Sequence, residues 1–299
     1  MSNNNNVDTA NYIFRARTKE AFVIKVLSEL LANANLQFAP FRIDGDGIHL
    51  NAADRNNHQL INFSLFRENF YGYKCTRPLN FMVNSSHFHK LLKVIKKKDT
   101  ITLFIKDDDN CKLGICVETS DENNKTNTNI RITYIQQNSV KIPDSYPNPT
   151  ICTNKEFQKM KNLHNIASEM TVSSPYPGLI KFYCDGKDVY DREVVLGNEA
   201  EEEDIQLQDD DEKNPAFPFC ETFRTSYITG LTKCANQSGN VQLFVRNKMP
   251  LKIKMKAGNL GELTVYIKSL ERIKLEQKIA AEKKKQEQDQ ADGASEENI

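Results

Sequence analysis

Five lysines crowd the stretch from Ser86 to Lys98, SHFHKLLKVIKKK, and no carboxylate interrupts them before Asp99. The chemistry open to such a cluster is ionic: ammonium groups on long stems hold polyanions with little discrimination between them. Phe88, Leu91, Leu92 and Ile95 recur at i, i+3, i+4 and i+7, the stripe that a helix buries. Lys90, Lys93 and Lys97 fall on the opposite face, with Lys96 and Lys98 close by. Like charges three and four residues apart weaken a helix. Either an external polyanion compensates this face, or it is an ordinary solvated surface.

Covalent and metal chemistry find no such cluster. There is no GxxxxGK[ST], no GxGxxG after a strand, no HExxH and no GxSxG, so an enzyme is not expected. His87 and His89 flank Phe88 and fall on different sides of a helix, while His49, His58 and His164 are isolated in sequence. Asp107, Asp108 and Asp109 lack the spaced ligands, central Gly and distal Glu of a calcium loop and read as a solvated hairpin tip. No metal and no cofactor are expected. The seven cysteines form no CxxC pair and read as reduced, mostly buried thiols of a cytosolic or nuclear protein.

The elements that position the lysines follow from periodicity. The length of 299 residues suggests about two domains. Residues 1–11 form an Asn-rich polar arm. A strand at Tyr12–Arg17 precedes a helix from about Thr18 to Ala32, with Phe22, Val23, Val26, Leu27, Leu30 and Leu31 inward and Lys25 outward. Strands are predicted at Phe38–Ile43, Gly47–Ala52, Leu60–Phe66, Tyr73–Cys75 and Leu79–Val83 before the lysine helix. After it come a hairpin, Thr100–Lys106 with Lys112–Glu118, and a strand at Asn129–Ile135. The pattern restarts beyond a Pro-bearing linker at 136–149. A helix at Asn154–Ala167 buries Phe157, Met160 and Leu163 and exposes Lys155 and Lys159. Strands follow at Leu179–Cys184, Glu193–Leu196 and Asp204–Gln208. A helix at Thr222–Ala235 turns Lys233 outward, and strands at Val241–Arg246, Leu251–Ala257 and Leu263–Ile267 finish the unit. The halves share a plan although their sequences barely match, which implies a structural duplication.

Charge is distributed unevenly. The 40 basic and 40 acidic residues cancel, yet nine carboxylates and no cation lie between Glu199 and Glu212. An acidic insert at 198–214 and a mixed-charge flexible tail at 271–299 therefore leave a basic folded body. No apolar run is long enough to span a membrane. The N-terminus has no apolar signal core, so secretion is not expected.

Phe14-Arg15-Ala16-Arg17, Tyr73 to Asn80, Val83-Asn84, the Leu91-Leu92-Lys93 helix, Asp99 to Leu103, Val140 to Tyr146, Pro250 to Ile253, and Gly261 to Leu263 with Tyr266 occur in a specific order and spacing. In that order they resemble the eukaryotic and archaeal DNA sliding clamps, the proliferating cell nuclear antigen (PCNA) family, over roughly Tyr12–Ser269. The resemblance implies an α+β fold of two similar clamp domains, 12–135 and 150–270, joined by a connecting loop at 136–149. Sheets would lie outside and two helices per domain inside. It implies a homotrimeric ring around duplex DNA, held without sequence preference by Lys25, Lys90, Lys93, Lys96, Lys97, Lys125, Lys155, Lys159 and Lys233. Subunits would pair through Asn129, Ile130, Arg131, Ile132 and Tyr134 on one edge and Asp204, Ile205 and Leu207 on the other.

The resemblance also implies partners: a DNA polymerase and other replication and repair proteins bound through a short peptide, and a clamp loader. The peptide would fill a groove lined by Ala53, Leu60, Val140, Ile142, Pro143, Pro250, Tyr266 and Lys268. Ala53 stands where the family commonly has a larger apolar residue and Lys268 where it has a small one. The implied location is the nucleus or a viral replication compartment in the cytoplasm. A non-ring processivity factor, a checkpoint-type clamp subunit, or an interaction module without DNA binding are the competing readings.

Overall fold

The computed structural model describes residues 11–119, 124–136, 140–187, 189–198 and 217–296. The proposed edge strand at Asp204–Gln208, with Asp204, Ile205 and Leu207, lies outside these residues, as do most of the acidic insert and residues 137–139 of the linker.

Alternating apolar residues build most of the fold. In the first half β1 (Tyr12–Thr18), β2 (Phe38–Ile43), β3 (Gly47–Ala53), β4 (Gln59–Phe66), β5 (Gly72–Cys75), β6 (Leu79–Asn84), β7 (Thr100–Lys106), β8 (Lys112–Glu118), β9 (Lys125–Arg131) and β10 (Thr133–Tyr134) surround α1 (Ala21–Asn33) and α2 (Ser85–Leu92). The second half contains β11 (Thr150–Thr153), β12 (Glu169–Ser174), β13 (Leu179–Asp185), β14 (Asp191–Gly197), β15 (Phe219–Arg224), β16 (Asn240–Phe244), β17 (Leu251–Ala257) and β18 (Gly261–Ile267). Its helices are α3 (Asn154–Phe157), α4 (Thr225–Thr229), α5 (Thr232–Ala235) and a long α6 (Leu270–Glu296).

Three sheets result. A five-stranded sheet runs β5-β1-β7-β8-β9, and a four-stranded one runs β14-β13-β12-β15. Between them a nine-stranded sheet, β10-β6-β2-β3-β4-β18-β17-β16-β11, is continuous across the two halves. The junction is the antiparallel pair β4–β18, in register from Gly261↔Leu65 to Ile267↔Gln59. One hydrophobic core follows the sheets, with Phe14, Phe157, Phe182 and Phe223 fully buried. Among the described residues no helix is long and apolar enough to cross a membrane.

Several predicted elements are corrected. The lysine helix ends at Leu92, not Lys98. Asn84 caps it by accepting from His87 N at 2.9 Å. Beyond Leu92 the buried carboxylate of Asp99 accepts from Lys96 N at 2.8 Å, turning the chain back before helix can propagate. The predicted helix Asn154–Ala167 is only α3, followed by 3-10 turns at Gln158–Met160 and Leu163–Asn165. Thr153 and Glu156 form a capping box at its start, while Asn162, His164 and Asn165 offer poor helix propensity beyond it. The inward set Phe157, Met160 and Leu163 is nevertheless fully buried.

The predicted helix Thr222–Ala235 begins three residues too early, because 219–224 is β15, paired with β12 from Phe219↔Ser174 to Arg224↔Glu169. The single strand Asn129–Ile135 divides at Ile132. There β9 stays with β8 while β10 crosses to β6 in the large sheet. From Leu270 onward the chain forms helix α6. Ile273 is buried, and Leu275 and Ile279 are exposed. Of the seven cysteines only Cys152, Cys184 and Cys234 are buried, and Cys111 and Cys220 are exposed, against the expectation of mostly buried thiols. Burial pushes the Cys152 and Cys234 thiols up to about 12.

Candidate nucleic-acid face and partner groove

The short helices form one layer: α1 packs against α2 and α5, and α5 meets α3. Lys90, Lys93, Lys96, Lys97 and Lys98 are exposed on α2 and the turn after it, and Lys155, Lys159 and Lys161 on the α3 segment. Among the described residues none of these eight has a carboxylate within ion-pair distance. Lys97 Nζ lies 5.9 Å from the centre of the Phe22 ring on α1, a contact that holds the stem without neutralising the charge.

The other sequence-predicted cations are committed elsewhere. Lys25 Nζ donates to the Ile95 carbonyl oxygen at 2.8 Å and sits over the Phe22 ring at 5.4 Å. Lys233 is ion-paired with Glu29, linking α5 to α1. Lys125 opens β9 instead of lying on a loop, and pairs with Glu118 at 3.2 Å. Lys161 was missed because an ideal helix turns it away from Lys155. After the 3-10 turn at Gln158–Met160 it is exposed, as Lys155 and Lys159 are.

The groove is a row across the large sheet. Antiparallel register aligns Phe244 with Lys252, Lys252 with Tyr266, Tyr266 with Leu60, and Leu60 with Ala53. All five therefore point from one face, opposite the core residues Leu251, Ile253, Val265 and Ile267. The connecting segment runs over this row. Asn51 Nδ2 donates to the Val140 carbonyl at 3.1 Å. Arg246 Nη1 donates to Ser145 O at 2.9 Å, and the Tyr146 hydroxyl donates to Pro250 O at 2.8 Å. Burial raises the Tyr146 phenol well above its usual range.

Ile142 remains 42 % exposed and Pro143 partly so, while Pro250 and Tyr266 are buried. Val140 and Ile142 also border a recess of about 370 Å³ that extends over Asn51, Asn62 and Asn80. Lys268 does not reach freely into the groove, because Glu276 of α6 holds its Nζ at 2.6 Å. Tyr146, Phe244 and Lys252 are groove residues that sequence reasoning missed; only strand register reveals them.

The proposed interface residues divide by orientation. Asn129, Arg131 and Tyr134 are exposed, but Ile130 and Ile132 are 8 % exposed and belong to the core. Among the described residues β9 is one end of the five-stranded sheet, with β5 the other, and β14 is one end of the four-stranded sheet, with β15 the other.

Residues 13–140 match the family described as proliferating cell nuclear antigen, N-terminal domain. Most of the chain's length is similar to PCNA and to a viral sliding clamp. A proliferating cell nuclear antigen from Chaetomium thermophilum is 24 % identical over 261 residues, covering 85 % of this chain and 97 % of that one. A protein described as probable DNA polymerase sliding clamp 1, from Paramecium bursaria Chlorella virus 1, is 23 % identical over 270 residues, covering 87 % and 98 %. The PCNA-like two-domain fold agrees with the α+β expectation from sequence.

Proposed function

We propose that this protein is a sliding clamp, a non-catalytic processivity factor that holds DNA polymerase on duplex DNA at sites of replication. The observation that carries the reading is the contiguous helix layer with eight exposed lysines and no carboxylate partner among the described residues. Such a layer attracts phosphates without reading bases, and weak exchanging contacts let a clamp slide. The relatives named above support the polymerase connection.

Ring closure is part of the proposal. Edge β9 of one copy pairs with β14 of the next. Because these edges differ, the contact is head-to-tail and can close a ring; three copies follow from the family resemblance. Lys125 and Arg131 on β9 face a strand carrying Asp191 and Glu193, and pairing would protect two otherwise open edges. The first half, the connecting segment 136–149 and the second half then make one two-domain subunit. Partners dock by a short peptide on the Ala53–Leu60–Tyr266 row beneath Ile142, and a loader opens the ring.

The test is association with unrelated duplexes followed by fluorescence anisotropy across a salt series. A dissociation constant on the order of 10⁻⁴ to 10⁻⁶ M and a steep salt slope, the same for every sequence, are expected. Absence of binding at low salt would leave an interaction module without DNA.

A further inference from the structure

We propose that Lys252 makes the partner groove selective for segments that carry a carboxylate, an inference that rests on the groove reading above. Strand β17 alternates Leu251, Ile253 and Met255 into the core with Lys252, Lys254 and Lys256 outward, so register delivers Lys252 to the middle of the groove row. Its Nζ stands 4.5 Å from the ring centre of Phe244, 5.1 Å from Tyr146 and 5.9 Å from Tyr266. Two of these rings are its direct neighbours on β16 and β18. The third is brought down from the connecting segment by the bond to Pro250.

Lys254 on the same strand and Lys268 just beyond β18 are satisfied. Lys254 pairs with Glu262 at 2.8 Å, and Lys268 with Glu276 at 2.6 Å. Lys252 has no carboxylate within ion-pair distance among the described residues. Asp144 on the connecting segment acts on it only through its field, while burial and Lys254 press its pKa down. Arg246, another cation beside the segment, donates to Ser145 O.

Ring faces compensate a cation only in part, and a half-buried ammonium gains most from a charge-assisted bond to a carboxylate. A purely apolar peptide laid over Ala53, Leu60 and Ile142 would bury Lys252 further with nothing to pair it. A peptide whose aspartate or glutamate reaches Nζ turns that cost into binding. The groove thus combines an apolar half, which any plug fits, with a cationic half that selects among plugs.

The experiment uses the full chain and fluorescein-labelled ten-residue peptides that carry apolar side chains at three positions. Each remaining position is occupied in turn by Glu or Gln, and anisotropy gives the affinities. At one or more positions the Glu peptide should bind about tenfold tighter than its Gln counterpart, equal to about 1.4 kcal/mol. That preference should disappear in Lys252→Met, persist in Lys252→Arg, and shift to a Lys-bearing peptide in Lys252→Glu. Equal affinity for every Glu and Gln pair, or a preference that survives Lys252→Met, overturns the proposal while the groove stands. Binding that is absent altogether, or that is unchanged by Ile142→Asp, overturns the groove reading and this inference with it. The Glu and Gln comparison on the unaltered chain does not depend on any variant folding.

Discussion

Lys25 on α1 donates to the backbone carbonyl oxygen of Ile95 across 2.8 Å, closing the turn that follows α2 onto the neighbouring helix. Both residues belong to segments marked by lysines, yet this cation serves the fold while its neighbours serve the surface. Lys25→Met should lower unfolding free energy by about 1 kcal/mol, below the roughly 1.5 to 3 kcal/mol of a buried charged hydrogen bond because the site is partly exposed. DNA affinity should change far less. Urea denaturation and duplex anisotropy on the same variant check both halves.

Reversal of Lys90, Lys93 and Lys97 to Glu should have the opposite signature. All three are exposed, so thermal stability should hold. Duplex binding should be lost, and a partial variant such as Lys90→Gln should flatten the salt slope by about 0.9 per contact removed. Lys161→Glu should weaken binding in the same way. A variant that melts earlier but still binds would assign these lysines to structure.

Subunit assembly should respond to charge on β9 and β14. Reversing Lys125 and Arg131 to Glu, or Asp191 and Glu193 to Lys, should each shift the oligomer toward monomer. Mixing the two variants should restore the junction between unlike copies. Light scattering over a dilution series reads this. A chain that is monomeric at high concentration and low salt would refute ring closure.

Ile142→Asp should leave the fold intact, since this side chain is 42 % exposed, and should cost peptide binding about tenfold or more, because a polar mismatch against an apolar partner costs roughly 1 to 3 kcal/mol. Combined with Tyr266→Ala it should abolish polymerase stimulation while duplex binding continues. Stimulation that persists in the double variant would place the partner surface elsewhere.

Acid should loosen the outer face of the large sheet. His49 bonds Ser64 Oγ at 3.0 Å through Nδ1 and has Asp44 at 3.4 Å from Nε2. Burial nevertheless lowers its pKa below the usual 6.5, with Asp44 opposing. A base whose folded pKa is depressed keeps its full contribution above the unfolded value and loses it as pH falls from about 6.5 through the lower folded value. Stability should therefore decline below about pH 6.5, and His49→Gln should flatten that decline. A stability that rises on acidification through this window would contradict the reading.

Sequence alone determined the strands whose alternation is strong. Phe38–Ile43, Thr100–Lys106, Lys112–Glu118 and Leu251–Ala257 have the predicted bounds, because side-chain period 2 needs no tertiary partner to be legible. It also identified the lysine-rich α2 segment and the inward set Phe157, Met160 and Leu163, since burial of apolar groups does not depend on the helix being regular. Tertiary structure decided the rest. Residues 219–224 pattern ambiguously and became a strand because β12 offered a partner. Asn129–Ile135 was divided because two different sheets claimed its ends. Lys25, Lys125 and Lys233 were withdrawn from the free cations by Ile95, Glu118 and Glu29, groups distant in sequence. The groove row Phe244–Lys252–Tyr266–Leu60–Ala53 exists only through strand register, where a slip of one residue would turn every one of these side chains to the other face.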